Sequence, residues 1–421
     1  MRVAIMTAGS RGDVAPYTGL GHGLARAGHQ VTLVTHAPFE PLVSGSGVRF
    51  HPLPVDPRAE LESSRGRGLH RSTTGAGKLM RLAALARSLI DRMTGDLVAA
   101  AGSSDLLLLS APLGPLGHTL AEGFGLPCLD VPLQPLSATR EFAPPMLSAG
   151  SWGAVGNRVA GQAMSLAVEQ VFAGVLPSLR RELGLPRRGA LAGRRARERS
   201  APPVLHGFSR LVVPRPRDWR PGLEVTGYWW PYDGERHLPS EVEEFLDAGP
   251  PPVFVGLGSA TVPRPDLLSA AVVRALRRAG LRGVFQRGWS GLSADGDDML
   301  TIGEAPHSLL FPRMAAVVHH AGAGTTAAGL RAGVPAVPAP IQFDEGFWAS
   351  RLVGLGVAPG ALPLGRLTEE SLRLALVRAT RDPAFARRAR ELGARIRAED
   401  GVAPVLGAVE RLGPSAGSRA G

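Results

Sequence analysis

The sequence predicts an α/β fold made of two parallel-sheet halves. Three observations carry this. From the N-terminus, short apolar runs alternate with helical stretches, the rhythm of a parallel sheet covered by helices. At Val253-Phe254-Val255-Gly256 the same alternation restarts. Between the two lies a stretch rich in proline and aromatic residues, which suits a linker. The 421 residues allow two or three domains. We divide them into a first domain at 1–213, a linker at 214–250, a second domain at 251–395, and a C-terminal helix and tail at 396–421.

Val3-Ala4-Ile5-Met6 reads as the first buried strand, and Gly9 to Asp13 as its exit loop. Pro16 to Ala27 follows as a helix stopped by Gly28. Gln30 to Thr35 and Val48 to Leu53 are the next strands. Residues 56–77 are polar, glycine-rich and basic, and read as a loop. Leu79 to Ala101 is an amphipathic helix, and Leu106-Leu107-Leu108-Leu109 a buried strand. A helix at 116–124 and a strand at 127–131 come next, then an irregular stretch at 132–150. Residues 152–183 are helical with a break near Pro177, and 186–200 a charged connector. Residues 204–206 and 210–213 read as the closing strands of the first half. In the second half, strands are expected at 253–256, 283–286, 299–302 and 315–318. Helices are expected at 267–279, from Ala327 to a stop at Gly333, and through 367–412. No repeat at a solenoid period is present.

The formal net charge is +11, carried by arginine far more than lysine. Such a balance suits nucleic acid, an anionic membrane surface or anionic substrates. The chain has no zinc-finger spacing, no RNP-like run and no interleaved aromatics, so the charge reads as solvated helix faces and no nucleic-acid partner is predicted. Cys128 is the only cysteine, which excludes an intrachain disulfide and fits a reducing cytoplasm. Met1-Arg2 leads straight into a strand, with no signal peptide, and no apolar run approaches membrane-spanning length. The expectation is a cytoplasmic protein without stable membrane insertion.

The most informative stretch is His319-His320-Ala321-Gly322-Ala323-Gly324-Thr325-Thr326. It joins an apolar strand to a short helix, and first-turn N–H groups have no partner inside a helix. A helix start with glycines is an anion site, to which Thr325, Thr326 and His320 add donors. The alternative is a tight glycine turn of any α/β protein. His319, on the opposite side of the strand, reads as structural.

With its surroundings this stretch resembles the donor-binding signature of GT-B glycosyltransferases, in the branch that decorates antibiotics and sterols. The resembling residues are Pro306-His307-Ser308-Leu309-Leu310-Phe311-Pro312, His319 to Thr326, Gly333-Val334-Pro335, and Phe343-Asp344-Glu345-Gly346-Phe347-Trp348. At the other end of the chain, Gly9-Ser10-Arg11-Gly12-Asp13-Val14-Ala15-Pro16 is similar to the same branch. The resemblance is poorest at 56–80 and 135–200. It implies two Rossmann-like domains facing across a cleft, with the last helix crossing back to the first domain. It also implies transfer of a sugar, with inversion, from a UDP- or dTDP-sugar to a hydroxyl of a lipophilic acceptor walled by segments 56–80 and 135–155. The nucleotide sugar is a co-substrate; no cofactor and no metal are expected. The protein is expected to act as a monomer or homodimer.

By the resemblance, Asp13 is the general base, since an attacking hydroxyl must lose its proton. By spacing alone it equally suits the N-cap of a helix from Pro16. The departing diphosphate needs donors fixed in advance; the resemblance assigns these to His320, Gly322, Gly324 and Thr325, with Ser10 and Ser259 facing the same phosphates. Arg11 is either a further phosphate ligand or an exposed loop arginine. The nucleotide base is expected near Arg287, Trp289, Pro306 and His307. Trp289 is a stacking surface or a core residue, and His307 a contact or a cap near Ser308. Asp344 is expected on the sugar hydroxyls. Glu345 stands where the family usually has Gln, and a change of sugar choice is the expectation. Asp105 and Ser110 flank the strand from which relatives support the base, and the sequence does not choose between them. Asp295-Gly296-Asp297-Asp298 resembles a metal-carrying D-x-D but reads as a solvated turn. Two rivals stay open: a sugar-nucleotide epimerase of this architecture, and a silent nucleotide-sugar-binding partner of another transferase.

Overall fold

The structure, a computed structural model, describes residues 1–62, 75–234 and 237–413. Strands β1 (Arg2–Met6), β2 (Gln30–His36), β3 (Arg49–Leu53), β4 (Leu106–Leu109), β5 (Cys128–Asp130), β6 (Val204–His206) and β7 (Leu223–Val225) form one sheet, in the order β3-β2-β1-β4-β5-β6-β7. Strands β8 (Val253–Gly256), β9 (Gly283–Gln286), β10 (Met299–Ile302), β11 (Ala316–His319) and β12 (Ala336–Pro338) form a second, in the order β10-β9-β8-β11-β12. Every pairing between these strands is parallel. Helices cover both faces of each sheet, so central strands are buried all round; all four leucines of β4 are fully buried. Each strand order reverses once, beside β1 in the first sheet and beside β8 in the second. Ligands of such sheets collect at these reversals, beyond the carboxyl ends of the strands.

Several local expectations need correction. Residues 210–213 are not a strand: the N–H groups of Val212 and Val213 both bond the carbonyl of Ser209 at 3.1 and 3.0 Å, a turn whose valines are apolar because they enter the core. The closing strand is β7, inside the stretch expected to be linker. Its Leu-Glu-Val alternates, with Leu223 and Val225 buried. The charged connector contains a helix, Ala190–Ser200, because alanine and arginine are strong helix formers. Arg194 reaches the carbonyl of Gln162 and Arg197 pairs with Glu169 on a neighbouring helix, Gly153–Phe172. Finally, both helices that open the site start early, at Arg11 rather than Pro16 and at Ala323 rather than Ala327. Of the expected loop at 56–77, Pro57–Glu62 is a short helix, and 63–74 lies outside the described residues.

The last helix, Ala403–Leu412, returns to the first half. Its Val405, Ala408 and Val409 are buried in the core that holds Ile5, Tyr17 and Leu20. Full burial of a valine is worth about 1.5–3 kcal/mol, so these two valines contribute to docking the helix. The seat is cut into the Arg11–Arg26 helix by its glycines. A Cβ on Gly23 would come within 2.6 Å of Val402, and one on Gly19 within 1.6 Å of the Trp230 carbonyl oxygen. Gly19-x-Gly21-x-Gly23 is thus a packing surface. The Trp229 indole also donates to the carbonyl of Gly401 at 2.9 Å. A further apolar cluster joins the halves, setting Phe142 and Phe208 against Phe347 and Trp348. Among the described residues no single helix is long and apolar enough to cross a membrane.

Candidate active site

The loop after β1 carries the first half of the site. Ser10 is the N-cap of the Arg11–Arg26 helix and Asp13 its third residue. The Asp13 Oδ2 accepts the Ser10 N–H at 2.9 Å and the Ser10 hydroxyl at 3.0 Å. Asp13 is therefore not the N-cap but the returning carboxylate of a capping box. The pattern Ser10-x-x-Asp13 was the signal that marks it. Gly9 makes room for this carboxylate: it adopts φ +136°, and a Cβ there would lie 2.5 Å from Asp13 Oδ2. The Gly9 N–H donates to His36 Nε2 at 3.1 Å, at the end of the neighbouring β2. His36 is buried, and burial lowers its pKa to about 4, so it accepts as the neutral ring.

Burial raises the Asp13 pKa above the ordinary carboxylate value. The Ser10 bonds oppose this, the charge of Asp344 adds to it, and a hydrogen bond from the Gln134 side chain opposes it again. Sequence reasoning missed His36 and Gln134; the parallel pairing of β1 with β2 was the only pointer to the former. It also left Asp105 and Ser110 open as supports for the base. Asp105 is ruled out, since it binds the backbone and guanidinium of Arg2 at the far end of β1. Ser110 is buried with its hydroxyl unpaired among the described residues, and Ser10 and Gln134 make the contacts instead.

The second half lies at the reversal beside β8. The helix Ala323–Ala332 has Gly322 as its N-cap, so the N–H groups of Ala323, Gly324 and Thr325 face outward from its first turn. Gly324 is exposed, with open space where a Cβ would be. Gly322 instead makes room for a ring, because a Cβ there would meet His320 Nε2 at 2.3 Å. The turn into this helix puts Ala321 at φ +65°, unusual for a residue with a Cβ. His319, fully buried, stabilises it by accepting the Ala321 N–H on Nδ1 at 3.1 Å.

His320 packs beneath Gly258, so the Ser259 loop, the His320 ring and the helix start are one unit. Gly288 closes the unit, because a Cβ there would lie 2.7 Å from the Gly258 carbonyl oxygen. Trp289 is only partly buried and outside the apolar clusters, and its N–H donates to that same carbonyl at 3.1 Å. Arg287 is exposed. Pro306 caps the short helix His307–Leu310. His307 stacks on Phe311 at 4.2 Å and does not cap at Ser308, whose hydroxyl bonds Asp233. Burial lowers the pKa of His320 to about 4 and of His307 and His319 to about 3. The site thus holds neutral histidines at neutral pH.

The two halves meet. The Arg11–Arg26 helix packs against the Ala323–Ala332 helix. Arg11 Nε lies 3.2 Å from Glu304 of the second half and close enough to lower the His307 pKa. Asp344, at the start of the helix Glu345–Gly354, is held by the Trp348 indole at 2.7 Å, and its charge reaches Asp13. Glu345 differs: it is buried, and its Oε2 accepts the N–H groups of Ile341 and Gln342 at 2.5 and 2.7 Å. The 295–298 run sits in an exposed turn closed by the Gly296–Met299 bridge, with Asp298 paired to Arg277.

Residues 3–142 match the glycosyltransferase family 28 N-terminal domain, and residues 286–412 the erythromycin biosynthesis protein CIII-like C-terminal domain. Over 412 residues the chain is 36% identical to the O-mycaminosyltylonolide 6-deoxyallosyltransferase of Streptomyces fradiae, covering 96% of this chain and 95% of that one. The chain belongs to the antibiotic and sterol branch of the GT-B glycosyltransferases. This glycosyltransferase is also 32% identical over 429 residues to a sterol 3-beta-glucosyltransferase of Arabidopsis thaliana, covering 98% of this chain and 68% of that one. Its fold is that of the calicheamicin glycosyltransferase CalG4, with a TM-score of 0.69 at 18% identity over 98% of each chain. The glycosyltransferase VinC, solved with dTDP, gives 0.66 at 22% identity over 98% of this chain and 99% of that one.

Proposed function

We propose that this enzyme transfers a sugar from a dTDP- or UDP-sugar to a hydroxyl of a lipophilic small molecule, macrolide-like or sterol-like, with inversion at the anomeric carbon. The relatives named above act on a tylonolide and on sterols, and VinC was solved with dTDP. One observation carries the reading: the Asp13 carboxylate of the first half and Asp344 of the second lie within electrostatic reach of each other.

In this mechanism the diphosphate sits on the N–H groups of Ala323, Gly324 and Thr325, with the helix dipole behind them. Ser10, Ser259 and neutral His320 add hydrogen bonds, Arg11 adds charge, and Trp289 with Pro306 and His307 flanks the nucleotide base. Arg287, exposed at the edge of that loop, belongs to the rim. Asp344 takes sugar hydroxyls. The acceptor hydroxyl approaches from the first half and gives its proton to Asp13 as its oxygen bonds C1 and the bond from C1 to the diphosphate oxygen breaks. A raised pKa suits the base, because proton transfer is driven best when the base is not too weak. Donors and dipole do the work of a cation, so no metal is invoked.

The test is turnover. The enzyme is incubated with dTDP-glucose or UDP-glucose and a pool of macrolide aglycones and sterols, and nucleotide release and glycoside are followed, with the anomer read by NMR. Acceptor-dependent release giving the inverted anomer, unchanged in EDTA, is expected. Retention of configuration, donor interconversion without an acceptor, or a Mg²⁺ requirement overturns it.

A further inference from the structure

The turn that delivers Asp344 is strained and is closed from behind. Phe343 holds φ +53° with its ring 45% exposed, a conformation that a residue with a Cβ keeps only under constraint. The constraint is visible. Ile341 and Gln342, just upstream of Phe343, give their N–H groups to Glu345 Oε2, just downstream, at 2.5 and 2.7 Å. One buried oxygen therefore ties the two ends of the turn together around the strained residue. On the outer side Asp344 is fixed once more, through the Trp348 indole, and Trp348 is fully buried. The buried Glu345 side chain, engaged by Ile341 and Gln342, thus faces the backbone of its own turn.

We propose that Glu345 is a positioning residue for the donor sugar: it clips the 341–345 turn and so aims the Asp344 carboxylate, without touching the sugar. This rests on the donor-site reading above and replaces the expectation that Glu345 itself selects the sugar. The clip uses a single oxygen as acceptor for both bonds. A glutamine carbonyl oxygen can accept the same two N–H groups, whereas leucine of similar size accepts none and leaves both amides unpaired.

The experiment compares wild type, Glu345→Gln and Glu345→Leu by calorimetry with dTDP and with dTDP-glucose, and by kinetics with several dTDP-sugars. Free dTDP lacks the sugar, so its Kd should stay within about threefold in both variants, which also shows that they fold. Glu345→Leu should weaken intact donor and lower kcat/KM by roughly 10- to 100-fold, the scale of a reacting group misplaced by about an ångström. Glu345→Gln should restore both and keep the order of preference among sugars. Two results overturn the clip: Glu345→Leu binding dTDP-glucose as tightly as wild type, or Glu345→Gln reordering the sugars. Failure of wild type to bind dTDP or UDP at all would instead remove the donor-site reading, and the clip with it.

Discussion

The loops after β1 and after β11 each lie at the reversal of a parallel sheet, on opposite strands of it, and each opens a helix, yet they are built to opposite electrostatic ends. After β1, a carboxylate is brought back onto the N-cap residue. Asp13 takes the Ser10 N–H and hydroxyl, and its own N–H bonds the Ser10 carbonyl at 2.9 Å. After β11, the N-cap is Gly322, which has no side chain to bring, and the first-turn N–H groups of Ala323, Gly324 and Thr325 have no side-chain cap among the described residues. The flanking histidines there are kept neutral by burial. A helix start can satisfy its donors with its own chain or reserve them for a ligand, and the N-cap and third residue decide which. One architecture used twice thus gives a carboxylate in one half and a glycine-capped helix start in the other.

The largest effect should come from removing the charge on the carboxylate side. Asp13→Asn keeps the size and one acceptor oxygen but cannot take a proton, and kcat should fall by about 10²–10⁴-fold. The Kd for dTDP should change little. A kcat within tenfold of wild type would break the contrast on its first side. The acid limb of kcat/KM sharpens it: since burial raises the Asp13 pKa, that limb should lie above the ordinary aspartate range, activity being lost as pH falls through the raised value.

On the glycine-capped side the matching change is Ala323→Pro. Proline suits the first helical position and removes only its N–H. Gly322, at φ −61° and ψ 150°, already has the backbone that a following proline requires. The variant should fold normally and bind dTDP about tenfold more weakly, the worth of one hydrogen bond to a charged group. Unchanged dTDP affinity would show that the diphosphate is not seated on these amides.

Much of this contrast was legible in the sequence, and what was missed has physical reasons. The central strands were readable because burial on both faces demands uninterrupted apolar runs, as in β4 and β8. At the margins that demand fades. β7 is three alternating residues between prolines, while the apolar 210–213 run serves a turn. Candidate residues from both ends of the chain converge because the two early-starting helices pack together, but Pro16 was taken as a helix start when Ser10 and Asp13 already close the box. His36, Gln134 and the inward turn of Glu345 act through tertiary contacts that no local pattern encodes.

A smaller effect separates the halves by pH. His307, His319 and His320 of the second half have folded pKa values of about 3 to 4, all depressed by burial, against about 6.5 in an unfolded chain. Between those limits the unfolded chain binds more protons, so stability falls as pH drops from 6.5 towards 4 and is fully present above 6.5. In the first half His36 and His206 add to this at about 4, whereas His118 acts in a different pH window. Burial lowers its pKa, yet hydrogen bonds to Asp130 and Cys128 outweigh that and raise it to about 9. His118 therefore contributes stability that is present below 6.5 and lost as pH rises through 9. The Tm should drop by several degrees between pH 7 and pH 5. His319→Asn, whose side-chain oxygen can replace Nδ1 as acceptor for Ala321 without titrating, should flatten that drop. His118→Asn should instead remove stability at pH 7 and leave the acid slope unchanged. Parallel acid slopes in all three proteins would mean that the neutral histidines around the anion seat do not set its acid sensitivity.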